Sequence, residues 1–339
     1  MKPLLMPLLV AVTTISSSIA SAQSYELQVF DPGNVAGVEF GFYSGLSDRS
    51  PLVSAFDVNF EPIGVFWQGN QARVFRVGAP EEYCWYRGIN DQLSTVGFRE
   101  VQGTSDVAAW TRNKHGYLRT FATPGERVFL YRLNKSNVAV GETTTGGGVA
   151  WSAFLVDEQG GRPVAVPGVS PALNTYFAAI NDKGQILGGA WNQFEHHPFL
   201  MKGNTVTYFD IGDAHEIGLR ALNNKGQAAG YWTEYEPLIG DYRSHGFIRK
   251  ANGSIKTIDL TYGFARHEVY DPDLYGGYPI LEAHGELLTQ ATAILDLNDR
   301  GEIVAEVTGW YRITLFIDGV GEVQFTEPRW VYALGTPAG

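Results

Sequence analysis

One short pattern recurs along the chain and limits what it can fold into. Ala179-Ile180-Asn181-Asp182-Lys183-Gly184-Gln185 is matched by Ala221-Leu222-Asn223-Asn224-Lys225-Gly226-Gln227, and Asp296-Leu297-Asn298-Asp299-Arg300-Gly301-Glu302 is a close third copy. Looser copies stand at Arg132-Leu133-Asn134-Lys135-Ser136-Asn137, Gly88-Ile89-Asn90-Asp91 and Asp57-Val58-Asn59-Phe60. The anchoring asparagines are 31, 44, 47, 42 and 75 residues apart, an imperfect repeat of about 42. The pattern has a mechanism. Asn and Asp bond their own backbone in turns, and Gly supplies the positive φ that closes a tight hairpin. Each anchor therefore marks a strand end, a reversal and a strand start.

The clearest unit predicts strands over Tyr176–Ile180, Gln185–Trp191, His197–Met201 and Thr205–Ile211, with a turn at Lys202-Gly203-Asn204. The next repeats it with Gln227–Trp232, His245–Ile248, a turn at Asn252-Gly253, and Ser254–Leu260. No useful stretch outside the first residues carries a period of 3.6. Four short antiparallel strands per repeat is the content of a propeller blade, so the expected fold is an all-β propeller of four-stranded blades. Six anchors predict six blades, and the 75-residue gap leaves room for a seventh. Tyr25–Asp31 is the expected closing strand, against the unit of Asn298, which would remove an exposed edge. The competing architecture is an open array of stacked sheets with capping ends.

The expected third strands form a second series: His115-Gly116-Tyr117-Leu118, Ser152-Ala153-Phe154-Leu155, His197-Pro198-Phe199-Leu200, His245-Gly246-Phe247-Ile248 and Thr314-Leu315-Phe316-Ile317. An I-N-x-x-G-x-x-x-G element followed by H-x-F-L resembles the HAF-type extracellular repeat of exported bacterial proteins. The opening Tyr25-Glu26-Leu27-Gln28-Val29-Phe30-Asp31-Pro32-Gly33 is similar to a strand of that family. The resemblance spans most of residues 25–325. It implies an exported, repeat-built β architecture and no particular reaction. Ser152 and Thr314 depart from its histidine.

Residues 1–22 read as a secretory signal: Lys2, the apolar run Leu4–Val12, and Ala20-Ser21-Ala22 before Gln23. Residues 23–339 are then one repeat domain, exported to the periplasm or beyond. The apolar run is too short to span a bilayer. A net charge of −11 without a basic run argues against nucleic acid and anionic membranes as partners. Hydrophobic content of 44% and aromatic content of 13% argue against disorder. A monomer binding a protein or glycan is expected.

Cys84 is the only cysteine, in an aromatic setting (Tyr83, Trp85, Tyr86) that suits packing better than a reactive thiol. His115, His197 and His245, at equivalent places, are expected to make a repeated structural hydrogen bond, with His196 adjacent. The insertion at 261–290 holds a partial calcium-loop spacing. Its ligands would be Asp271, Asp273 and Glu282, with Gly276 at the sixth place. Calcium is the one cofactor this suggests. Trp191, Trp232 and Trp310 each follow a second strand, where packing between blades or a glycan platform is expected. No nucleophile elbow, zinc helix or Walker sequence is present. The expected function is an exported, non-enzymatic binding or interaction module. The alternative is a propeller hydrolase or lyase acting on a glycan.

Overall fold

The computed structural model describes residues 25–29, 40–47, 51–56, 62–68, 71–75, 84–100, 104–122, 126–145, 150–212, 214–260, 280–317 and 321–337. Regular structure among them is all strand. β1 (Tyr25–Val29) is followed by β2 (Phe40–Leu46), β3 (Pro51–Phe56), β4 (Pro62–Gln68) and β5 (Gln71–Phe75), a four-stranded antiparallel sheet. The second unit is β6 (Cys84–Ile89), β7 (Thr95–Glu100), β8 (Val107–Arg112) and β9 (Leu118–Phe121). The third is β10 (Arg127–Leu133), β11 (Ala139–Thr145), β12 (Ala150–Asp157) and β13 (Gly160–Pro163). A single parallel pairing, Arg127 with Val107, joins these two units.

The fourth unit is β14 (Asn174–Ile180), β15 (Gln185–Trp191), β16 (His196–Lys202) and β17 (Thr205–Tyr208). The fifth is β18 (Glu216–Leu222), β19 (Ala228–Glu236), β20 (Asp241–Arg249) and β21 (Ile255–Ile258). The sixth has three long strands, β22 (Ile280–Leu297), β23 (Ile303–Ile317) and β24 (Gly321–Pro337). Its fourth strand is β1, antiparallel to β24 from Tyr25 opposite Pro337 to Val29 opposite Ala333. The closing strand therefore pairs within the unit of Asn298, as its sequence suggested.

The repeated asparagine works twice. In the turn after β14, Asn181 Oδ1 accepts the N–H groups of Lys183 and Gln185, each at 3.0 Å, while Gly184 takes φ +72°. The looser turns keep that shape without glycine, Leu93 at φ +62° and Asn137 at +58°. The amide nitrogen then reaches the next unit. Asn90 donates to the Asn134 carbonyl at 2.8 Å, Asn134 to that of Asn181 at 3.3 Å, Asn181 to that of Asn223 at 2.9 Å, and Asn223 to that of Asn298 at 3.1 Å. The following position returns the contact. Asp182 accepts from the Lys135 N–H at 2.7 Å, Asn224 from the Asp182 N–H at 2.7 Å, and Asp299 from the Asn224 N–H at 2.6 Å. These buried polar groups are thus satisfied jointly by their own turn and by the neighbouring unit.

Hydrophobic packing follows the same order. Val140 and Ala153 of the third unit meet Phe177 and Phe199 of the fourth, and Leu187 of the fourth meets Leu219 and Phe247 of the fifth. Ala221 and Ile248 of the fifth meet Ile294 and Ile303 of the sixth. The core is thus a series of sheet-to-sheet interfaces. β2 also neighbours β22, and the Leu46 N–H donates to Asp296 Oδ2 at 2.8 Å, joining the first unit to the sixth.

Several placements correct the sequence reading. In the second unit the third strand is β8, and His115-Gly116 forms the turn to β9. Asn113 Oδ1 accepts the His115 and Tyr117 N–H groups at 3.0 Å there, with Gly116 at φ +86°. A local Asx turn has overridden the H-x-F-L resemblance. Thr314–Ile317 closes the 15-residue second strand β23 instead of forming a third strand. Asn59 falls between β3 and β4, outside the described residues; the first unit turns after Leu46, with buried Ser47 at the asparagine position. Residues 280–290 of the expected insertion belong to β22, and 261–279 lie outside the described residues, as do 1–22.

Asn181→Ala should lower unfolding free energy by about 2–4 kcal/mol, because it orphans the Lys183 and Gln185 N–H groups and removes the bond to the next unit. Exposed Lys183→Ala should change it by less than about 0.5 kcal/mol. Urea denaturation followed by circular dichroism compares the two, and equal midpoints would refute the role given to the asparagine belt.

Candidate functional site

A second regularity lies three residues before each anchor. In all six units the pairing of first and second strands skips one residue at this place: Ser44, Arg87, Tyr131, Ala178, Arg220 and Leu295. Such a bulge re-aims the extra side chain out of the alternating pattern. The last five border one cavity of about 480 Å³, within the range of small-molecule sites. The first strands approach closely beneath it. A Cβ on Gly88 would lie 2.7 Å from the Tyr131 carbonyl oxygen.

An ion pair crosses the cavity floor. Arg132, two residues before Asn134, meets Asp296 of the sixth unit at 3.1 Å, with side-chain exposures of only 16% and 6%. Its guanidinium also donates to the carbonyls of Arg87, Tyr131 (3.0 Å) and Leu295 (3.3 Å). Arg132 borders both the cavity and a smaller hollow of about 90 Å³ lined by the turns that carry the asparagines.

The walls carry paired phenols and carboxylates. Tyr131 donates a short hydrogen bond to Glu142, and Glu306 lies opposite Tyr332 in the β23–β24 register and bonds its hydroxyl. Tyr231 donates to Glu216 at 3.5 Å and accepts from Arg220 at 3.4 Å. Burial pushes the Glu142 carboxyl above the ordinary carboxylate range, against the pull of the Tyr131 bond. Burial does the same to Glu306, opposed by Tyr332, and holds the Tyr131 and Tyr176 hydroxyls above their usual values. Trp191 and Tyr176 add aromatic surface. Such walls can accept hydroxyl protons, donate phenolic ones and stack on apolar faces.

The residues singled out from sequence are mostly elsewhere. Asp271 and Asp273 lie outside the described residues, and the backbone of Glu282 pairs with Phe316 in β22. Cys84 is buried in β6 and forms no disulfide. Buried His245 sits between Asp259 at Nδ1 and Glu234 at Nε2, both 2.9 Å, with Trp232 stacked 4.4 Å away. His197 meets Glu195 at 2.9 Å, and His196 meets Tyr176 at 3.1 Å, where burial drives its pKa down to about 4. The histidines therefore bond carboxylates and a phenol, each in its own way. Of the three tryptophans Trp191 reaches the cavity, while Trp232 packs on His245. The cavity residues themselves went unread, although a fixed offset of three from each asparagine marks the bulged ones.

No family model matches the sequence, and no curated protein matches it. Solved structures resemble its fold distantly. Virginiamycin B lyase from Staphylococcus aureus is 9% identical over 92% of this chain and 99% of its own, with a TM-score of 0.43. A variant of the Aleuria aurantia lectin in complex with Fucalpha1-6GlcNAc is 11% identical over 87% and 96%, at 0.43. The β-propeller domain of the Trilobed protease from Pyrococcus furiosus is 10% identical over 85% and 98%, at 0.42. At such values, what those proteins bind or cleave does not transfer to this chain.

Two outcomes test this geometry. Asp296→Ala, which strands the Arg132 guanidinium, should cost about 3–5 kcal/mol in urea denaturation. The double variant Arg132→Met, Asp296→Leu should recover most of that loss, and no recovery would contradict the account of the pair. The raised Glu142 pKa predicts a pH dependence with a definite sign. Its stabilising contribution is present below the unfolded value of 4.5 and is lost as pH rises through the higher folded value. Glu142→Gln should therefore gain on the parent from pH 4 towards pH 8; a constant difference would refute it.

Proposed function

We propose that this chain is an exported, monomeric six-bladed β-propeller that acts as a binding module, with the central cavity as its ligand site. The signal-like first residues and the HAF-type resemblance support export. Six four-stranded units in sequential contact, with β1 closing the sixth and Leu46 bonded to Asp296, support a closed ring of six blades. The observation that carries the functional reading is the cavity of about 480 Å³, lined by the bulged residues of the second to sixth units.

Its chemistry suits a polyhydroxylated ligand of the glycan class. Glu142, Glu216 and Glu306 offer acceptors for hydroxyl groups, and Trp191 offers a face on which a sugar ring can stack. A second reading has one observation in its favour. Glu142 is a buried carboxyl held protonated to higher pH than usual beside Tyr131, the condition a general acid needs. That reading makes the protein a glycan hydrolase or lyase.

A glycan array followed by calorimetry on the whole protein separates the readings. Trp191→Ala should weaken a captured glycan about tenfold, and exposed Phe194→Ala should leave it unchanged. Binding that ignores Trp191→Ala would remove the cavity as the site. Release of new chain ends from the captured glycan, abolished by Glu142→Gln, would replace the binding module with the enzyme.

A further inference from the structure

We propose that the ligand of the central cavity is an acidic sugar whose carboxylate sits between Arg87 and Arg220; this rests on the cavity reading above. Both arginines are bulged residues, from the second and fifth units. These units stand three apart in the sequence of sheets, as do the third and sixth, which Arg132 and Asp296 bring together across the centre. Arg87 lies close enough to feel the charges of Arg220 and Arg132.

Several guanidinium groups elsewhere in the chain pair with carboxylates, while others, such as Arg127 and Arg249, lie over aromatic rings. Arg132 has Asp296 at 3.1 Å, Arg162 has Asp157 at 2.7 Å, and Arg312 has Glu286 at 3.2 Å. Among the described residues, neither Arg87 nor Arg220 has a carboxylate within 4.0 Å. The Arg87 Nε is buried with no hydrogen-bond partner, and its side chain lies over the Phe98 ring at 5.3 Å. Arg220 hydrogen-bonds the Tyr231 hydroxyl and lies over its ring. The cavity carboxylates hydrogen-bond phenols rather than these guanidinium groups, and Glu306 feels the Arg220 charge without pairing with it. Two like charges in a partly desolvated space repel, and burial lowers the Arg87 pKa first of all. A carboxylate between two guanidinium forks would relieve that cost with charge-assisted hydrogen bonds.

The same walls select the kind of anion. Glu142, Glu216 and Glu306 oppose a multiply charged group such as phosphate, and a single carboxylate meets less repulsion. Those glutamates and Trp191 remain available for the hydroxyls and the ring of a sugar.

Calorimetry with a uronic-acid oligosaccharide, its carboxyl-reduced neutral counterpart and inorganic phosphate tests this on the whole protein. The acidic sugar should bind at least tenfold tighter than the neutral one, and more weakly as salt rises. Arg87→Gln and Arg220→Gln should each bring the affinity for the acidic sugar down to that for the neutral one. Arg220→Lys, at an exposed position that does not threaten folding, should retain part of it. Equal binding of the acidic and neutral sugars would overturn the anion site and leave the cavity reading intact. Binding of neither would overturn both. Phosphate competing as well as the free uronate would overturn the assignment to a sugar acid.

Discussion

The amide nitrogen of one asparagine bonded to the carbonyl of the next unit's asparagine is the contact on which the architecture depends. Hydrophobic faces alone let two sheets slide, since packing is tolerant of small shifts. A hydrogen bond from a buried side chain is not, because its loss leaves a desolvated donor and acceptor behind. Four such bonds run from Asn90 to Asn298, and Asp182, Asn224 and Asp299 add returning contacts. Each unit thereby sets the height and rotation of its neighbour. The angle between sheets becomes a property of the turn.

That division of labour leaves the position three residues earlier without a duty to the frame. The bulge there is present in all six units, but its occupant ranges from Ala178 to Tyr131 and Arg220. Position two before the anchor is small where strands crowd, as at Gly88 and Ala179. Only in the third and sixth units does it become charged, and there Arg132 and Asp296 meet. A constant scaffold with a variable lining follows from pairing geometry, without any change to the repeat.

Much of the frame was legible in advance because turn chemistry is local. Asn181 and Gly184 define a hairpin whatever surrounds them, and β15 has the bounds its sequence suggested. The looser turns also hold, since Asn90 and Asn134 supply the side-chain acceptor and the backbone keeps positive φ at Leu93 and Asn137. Reading failed where a resemblance in letters competed with a local turn, as at His115, or where a strand ran on past its usual length, as at Thr314. The candidate site was hidden for a different reason. A bulge is a relation between two strands, and Arg87 or Glu142 shows no chemistry until the units are brought together.

The pairing of β1 with β24 has a consequence for the order of folding. Tyr25 finds its partner 312 residues later, at Pro337, so β1 waits without its neighbour until β24 has been synthesised. Neighbouring units can form early from local hairpins, but this last contact carries the longest loop-closure cost in the fold. Until it forms, β24 keeps an open edge that could pair with another copy of the chain. The step that completes the molecule is thus also the one at which crowding by its own siblings matters most.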